Sequence, residues 1–223
     1  MTAKSSSELI GEFEHIWLAM QSLVPDLPDA VFTMAGGTDV RRHYVKYGHF
    51  VAKQWHVDPD GATWCEIFVG GEGLRRGGVA VLATLMHEAT HALAHVRGVK
   101  DTSDHHQYHN QRFRKLAEST WPLHIETQHD RIGWSYTTLL PRGAEEWQSY
   151  IDKLDQLIGD QHMYRLGPSE STGTPVAHRK RTVYACECGR QVHLTKDMIA
   201  HGGVLCGTCR HPFVEVTPDG AAR

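Results

Sequence analysis

The chain has 223 residues, 40% hydrophobic and 22% charged, with a formal net charge of −3; this is an ordinary globular composition, with room for one domain and a small appendage. No apolar run approaches the roughly 18 residues that a bilayer span needs. The stretch MTAKSSSELIGEFEHIW lacks the apolar region and cleavage site of an export signal, so a cytoplasmic protein is expected. The charge is uneven: from residue 176 on, seven Lys and Arg stand against four Asp and Glu, on an otherwise acidic chain.

In chain order, SSSELIGEFEHIWLAMQSLV predicts an amphipathic helix. Ser5 and Glu8 fit a capping box, Leu9, Phe13, Ile16, Trp17, Met20 and Leu23 fall on one stripe, and Pro25 and Pro28 end it. Three β-like runs follow at 30–35, 48–57 and 62–70, the last two joined by the turn signal DPDG, which predicts a small, mainly antiparallel sheet. GGVAVLATLMHEATHALAHVRG turns helical, with Val79, Leu82, Leu85, Met86, Leu93 and Val96 spaced for burial and Gly98 as its stop. A second helix is expected from about Asp104 to Ser119, an extended segment at 133–140 and a last helix at 144–159. LGPSESTGTP reads as a linker. The expected division is a main domain over 1–165, a flexible linker over 166–177, a small module over 178–215 and a tail over 216–223.

HEATH at 87–91 carries the chemistry. Residues i and i+4 share a helical face about 6 Å apart, so His87 and His91 reach one ion. Glu88 sits one step round, where its carboxylate addresses a water on that ion. A third ligand is needed. His95 lies about 12 Å from His87 along a straight helix, too far to converge on a tetrahedral site. Among later residues Glu118 and His109 compete, with His105 and His106 nearby. His109 is favoured because it lies early on the second helix, with Phe113 four residues on as a core anchor.

Cys186, Cys188, Cys206 and Cys209 form two knuckles with 17 residues between them, a spacing suited to a structural zinc. His193 or His211 is an alternative ligand there, because the CxC bite is tight. Cys65, in an apolar run, reads as a buried inert thiol. Arg179, Lys180, Arg181, Arg190, Lys196 and Arg210 decorate the module as candidate phosphate contacts.

HEATHALAHVRG, DTSDHHQYHNQRF and the CxC…CxxC tail together resemble the SprT-like (Spartan-type) zinc metalloproteases, in the bacterial and phage type with a C-terminal zinc ribbon. The chain departs from that pattern at Asn110, where many members have glycine, and at the shortened first knuckle. The resemblance implies an α+β, zincin-like fold and an endopeptidase with one catalytic zinc on His87, His91 and His109. It also implies one structural zinc on the four cysteines, and recruitment to DNA to degrade DNA-bound or DNA-crosslinked proteins. Glu88 is then the general base. Tyr108, Tyr136 and His124 are open candidates for oxyanion donor, and substrate is expected to add as a strand at the sheet edge, with strand 62–70 as a candidate edge. The alternative from another class is a non-catalytic nucleic-acid-binding or transcription-associated zinc protein. Protein substrates and DNA are the expected partners, and no membrane.

Overall fold

Helix α1 (Ser6–Leu23) lays Leu9, Phe13, Ile16, Trp17 and Met20 into the core, while Leu23 at its end is 67% exposed. The computed structural model describes residues 6–39, 44–57, 61–103, 108–127, 132–161, 164–167 and 182–216. Ser5 of the expected capping box lies outside them. The chain divides into two units, Met1–Ser171 and Thr172–Arg223. Among the described residues no helix is long and apolar enough to cross a membrane.

The first unit is α+β. Its strands are β1 (Ala30–Ala35), the short pair β2 (Thr38–Asp39) and β3 (Tyr44–Val45), then β4 (Gly48–His56) and β5 (Thr63–Gly70). The main sheet has the order β1-β5-β4. β4 and β5 pair antiparallel, as the DPDG turn predicts, but β1 and β5 pair parallel. The expectation of a mainly antiparallel sheet is corrected here. β5 is also the central strand rather than an edge, because β1 covers the side that β4 leaves open. Spacing along a sequence encodes which residues alternate, not which strands become neighbours.

β4 is an edge strand, and its ladder is interrupted between Val51 and Trp55, where Lys53 takes a positive φ of 51°. Such irregularities bend an edge and stop further pairing along it. The regular part of the edge is therefore the stretch from Gly48 to Val51.

A 3-10 turn (Gly71–Arg76) leads into α2 (Gly78–Val96). Leu82, Leu85, Met86 and Leu93 are fully buried, each worth about 1.5–3 kcal/mol of transfer free energy. Val79 and Val96, expected on the same buried stripe, are exposed. Gly98 stops the helix at φ 65°, with Val99 N–H donating to the Ala94 carbonyl at 2.8 Å, as in a Schellman end.

Beyond α2 come the short strands β6 (Thr102–Ser103) and β7 (Tyr108–His109), then α3 (Gln111–Thr120), β8 (Leu123–Glu126) and β9 (Tyr136–Leu139). The second helix thus starts at Gln111, not near Asp104. The Asn110 side chain is its cap, accepting from the N–H groups of Arg112 (2.8 Å) and Phe113 (3.4 Å). The last expected helix is two: α4 (Pro141–Glu146) and α5 (Gln148–Gln161), parted at the buried Trp147.

After α5 the chain returns to the sheet. Arg165 donates its N–H to the Gly71 carbonyl and its guanidinium to Glu72. Glu72 is 4% exposed and also accepts from Gly37 N–H and Thr38 Oγ1, at 2.8 and 2.7 Å. Burial raises the carboxyl pKa, but these donors outweigh it and hold Glu72 at about 2.

The second unit holds β10 (Thr182–Ala185), β11 (Gln191–Leu194), α6 (Lys196–Ala200) and β12 (Val214–Glu215), with sheet order β11-β10-β12. Of the expected linker only Leu166 and Gly167 are described.

Candidate metal centres

His87 and His91 stand one turn apart on α2, with Nε2 atoms 3.2 Å from each other. Nε2 of His109 lies 3.2 Å from that of His87 and 3.1 Å from that of His91. His109 comes from β7, just before the cap of α3, and not from the helix itself. This corrects its expected place while keeping its expected partners. Its backbone N–H donates to the Ile132 carbonyl, and its carbonyl accepts from Trp134 N–H. Gly133 between them has φ 62°, and a Cβ there would stand 2.2 Å from the His109 carbonyl oxygen. Phe113 is fully buried with its ring centroid 4.6, 4.7 and 4.8 Å from the rings of His87, His91 and His109. One aromatic ring thus seats all three imidazoles.

Each outer ring nitrogen has a partner that fixes the tautomer. His91 Nδ1 meets Asp101 Oδ2 at 2.6 Å, and His109 Nδ1 meets the Ile132 carbonyl at 3.2 Å. Both partners only accept, so both Nδ1 atoms carry the proton. His87 Nδ1 lies 2.7 Å from Thr137 Oγ1, whose own hydroxyl donates to the Ser135 carbonyl. That leaves the Thr137 oxygen to accept from His87. All three Nε2 atoms therefore face one another as bare lone pairs. Three lone pairs so close repel unless a cation lies among them. Nitrogens bound at about 2.0–2.1 Å with tetrahedral angles stand roughly 3.3–3.4 Å apart, close to the spacing observed. Burial, then the neighbouring imidazoles, lowers the pKa of His87 well below normal and that of His109 to about 4, which keeps both neutral as ligands must be. The group fits a tetrahedral dication and is compatible with zinc.

Glu88, 4% exposed, lies against the sheet edge, with its Oε1 2.6 Å from where a Cβ on Gly48 would be. Tyr47 accepts from Gly70 N–H, so alternation turns the peptide groups of Gly48 and Phe50 outward, away from β5. The outward N–H of Phe50 is the one that Glu88 takes. Burial pushes the Glu88 carboxyl up to about 7.

The rival ligands are elsewhere. Glu118 accepts from Ile125 N–H and from Arg114 Nε, both at 3.1 Å. The His95 ring lies 5.9 Å from Phe50. His105 and His106 lie outside the described residues. Of the oxyanion candidates, His124 is bound to Glu126 at 3.1 Å, Tyr108 packs against Gly133, and Tyr136 is 49% exposed beside Thr137. Asp101, Thr137, Ile132 and Gly48 have supporting roles that no spacing along the chain marks. Asp101 lies ten residues past His91 with nothing to mark it.

In the second unit the sulfurs of Cys186, Cys188, Cys206 and Cys209 lie within 4.8 Å of one another. Cys186 and Cys188 approach to 3.1 Å, and Cys188 and Cys206 to 3.7 Å. Sulfurs on one tetrahedral zinc at about 2.3 Å stand roughly 3.8 Å apart, so the four fit such an ion, with a tight CxC bite. The two knuckles share one plan. Cys186 N–H donates to Arg190 O and Cys206 N–H to His211 O. Gly189 (φ 82°) and Arg210 (φ 59°) take the left-handed position after the last cysteine of each. The His211 backbone N–H, and after it the His211 side chain, bond the Cys209 sulfur and lower its pKa to about 6. His211 therefore supports a thiolate and does not replace it. Arg190 and Arg210 are exposed at the knuckles; Arg179, Lys180 and Arg181 lie outside the described residues, as does the side chain of Lys196. Cys65 is buried, donates to the Asp29 carbonyl and is pushed by burial to about 12, an inert thiol.

Comparisons with protein-family models, with curated proteins and with solved structures yield no match.

Proposed function

We propose that this chain is a zinc-dependent endopeptidase of the SprT-like type, recruited to DNA through its C-terminal module to degrade DNA-bound or DNA-crosslinked proteins. The observation that carries the reading is the meeting of three bare Nε2 atoms at 3.1–3.2 Å with a buried glutamate on the same helix. His87, His91 and His109 would hold the zinc, which when bound supplies Lewis acidity and makes water acidic near neutral pH.

The remaining chemistry belongs to the protein. Glu88, with its pKa near 7, is matched to accepting a proton from the attacking water and returning it to the leaving amine. Its hydrogen bond from Phe50 ties the base to the edge on which substrate main chain would add. That edge is β4, between Gly48 and Val51, and the irregularity beyond it limits how much extended chain it can pair. Main-chain pairing reads sequence loosely, so localisation would have to restrain the enzyme. Arg190 and Arg210, exposed on the cysteine module, are suited to phosphate contacts, which require no base reading.

The test compares wild type with Glu88→Gln for zinc content and for casein and self-cleavage, with and without single-stranded DNA. The expected result is two zincs per chain in both and cleavage in wild type alone. Two zincs with no cleavage in either would leave the non-catalytic zinc protein as the better reading. DNA binding should weaken steeply as salt rises; a flat slope removes the phosphate contacts.

A further inference from the structure

Arg76, at the end of the 3-10 turn, is held in place without a charged partner. Its Nε donates to the Gly73 carbonyl at 3.2 Å and its Nη2 to Thr84 Oγ1 at 2.8 Å. Its guanidinium carbon lies 3.8 Å from the centroid of the Tyr47 ring. Among the described residues it forms no ion pair, and its Nη1 donates to nothing. Burial disfavours its charge, and the phenols of Tyr47 and Tyr136, neutral at pH 7, do not offset this. Both tyrosines are exposed, at 42% and 49%, so solvent reaches this place.

The position is next to the proposed reaction centre. Tyr47 precedes Gly48, and Thr84 lies one turn before Glu88 on α2. Thr84 Cγ2 and Glu88 Oε1 flank the same point, 2.8 and 2.6 Å from where a Cβ on Gly48 would be. Thr84, which Arg76 bonds, thus stands one helical turn, about 6 Å along the axis, before the residue whose carboxylate would act as base. Glu88 is not among the groups whose charge acts on Arg76, and the two form no ion pair. A planar fork fixed in advance, with donors left over, is suited to a carboxylate. Its side-chain ordering precedes binding, which lowers the cost of capturing a ligand.

We infer that Arg76 is a specificity residue that binds a substrate carboxylate, either an acidic side chain or a free chain end. This rests on reading the cleft between β4 and α2 as a peptidase site.

The experiment measures binding, so that it does not depend on turnover. Zinc-loaded full-length chain carrying Glu88→Gln is titrated with labelled peptides that differ by Glu or Gln at single positions. A second set differs by a free or amidated C-terminus. One position, or the free end, should bind about tenfold or more tightly, as a charge-assisted fork contact allows. The first set responding assigns a side chain; the second assigns a chain end. Adding Arg76→Gln should bring the acid-to-neutral ratio towards one, and Arg76→Lys, which keeps the charge, should recover part of it. Melting temperatures show whether each variant folds. A residue that only clamps the 3-10 turn to α2 would shift melting and leave the ratio alone. Equal binding of acidic and neutral peptides, or none of either, overturns the inference. Casein cleavage by wild type judges the peptidase reading separately.

Discussion

A Cβ built on Gly48 would stand 2.6 Å from Oε1 of Glu88. The edge strand and α2 therefore approach as closely as they do because position 48 has no side chain. Gly48→Ala should push the carboxylate aside without touching the metal ligands. A displacement on the order of 1 Å costs about a hundredfold in rate. The expected outcome is a fall of that size in kcat/KM with unchanged zinc content, measured by peptide cleavage and metal analysis. A variant with wild-type activity would show that Glu88 is not placed by this contact.

Asp101 holds the His91 ring at 2.6 Å and fixes its tautomer. Asp101→Ala should weaken zinc binding at the histidine site about 10–100-fold, as loss of such a partner does elsewhere. Competition with a chromophoric chelator measures this. Glu118→Ala is the control: Glu118 is spent on Ile125 and Arg114, so its loss should leave zinc affinity alone.

Glu72 links acid stability to the fold. Its pKa falls from an ordinary 4.5 to about 2 in the folded chain. A depressed carboxyl stabilises above its unfolded pKa, and that stability is lost as pH falls through the interval from 4.5 to 2. The contribution is up to about 3 kcal/mol, less screening at the exposed Arg165 partner. Glu72→Gln should lower the melting temperature at pH 7 and narrow its gap from wild type at pH 3. A gap that stays constant with pH would show that the ionised carboxylate contributes nothing.

The cysteine unit is too small for a sufficient core of its own, so metal binding should supply much of its folding free energy. Chelation of full-length protein should expose residues 182–216 to proteolysis while residues 6–161 stay protected. Cys206→Ser should have the same effect without chelator. Protection that survives both treatments would mean that the hairpin of β10 and β11 holds without metal.

Much of this was legible in the sequence. Helical periodicity placed His87 and His91 on one face, and the reach of a straight helix excluded His95. The spacing from His109 to Phe113 marked the third histidine of the group, since a buried aromatic four residues on is a local signal. The knuckle spacing assembled the four cysteines. Strand order was not legible, because β5 reads the same whether β1 covers it or not. Neither was the start of α3, which the capping side chain of Asn110 decides against a run of polar residues that carries no periodicity.

The sequence alone determined which residue types could hold a metal and which helix would carry them, because that depends on distances along one chain, set by a fixed rise per residue. The tertiary structure decided what surrounds them. It brought Asp101, Thr137 and Ile132 to the outer ring nitrogens, turned the edge of β4 towards Glu88, and joined Arg76 to Thr84 with no counter-ion among the described residues. Those contacts join segments far apart in the chain, and only packing of the core fixes where such segments meet.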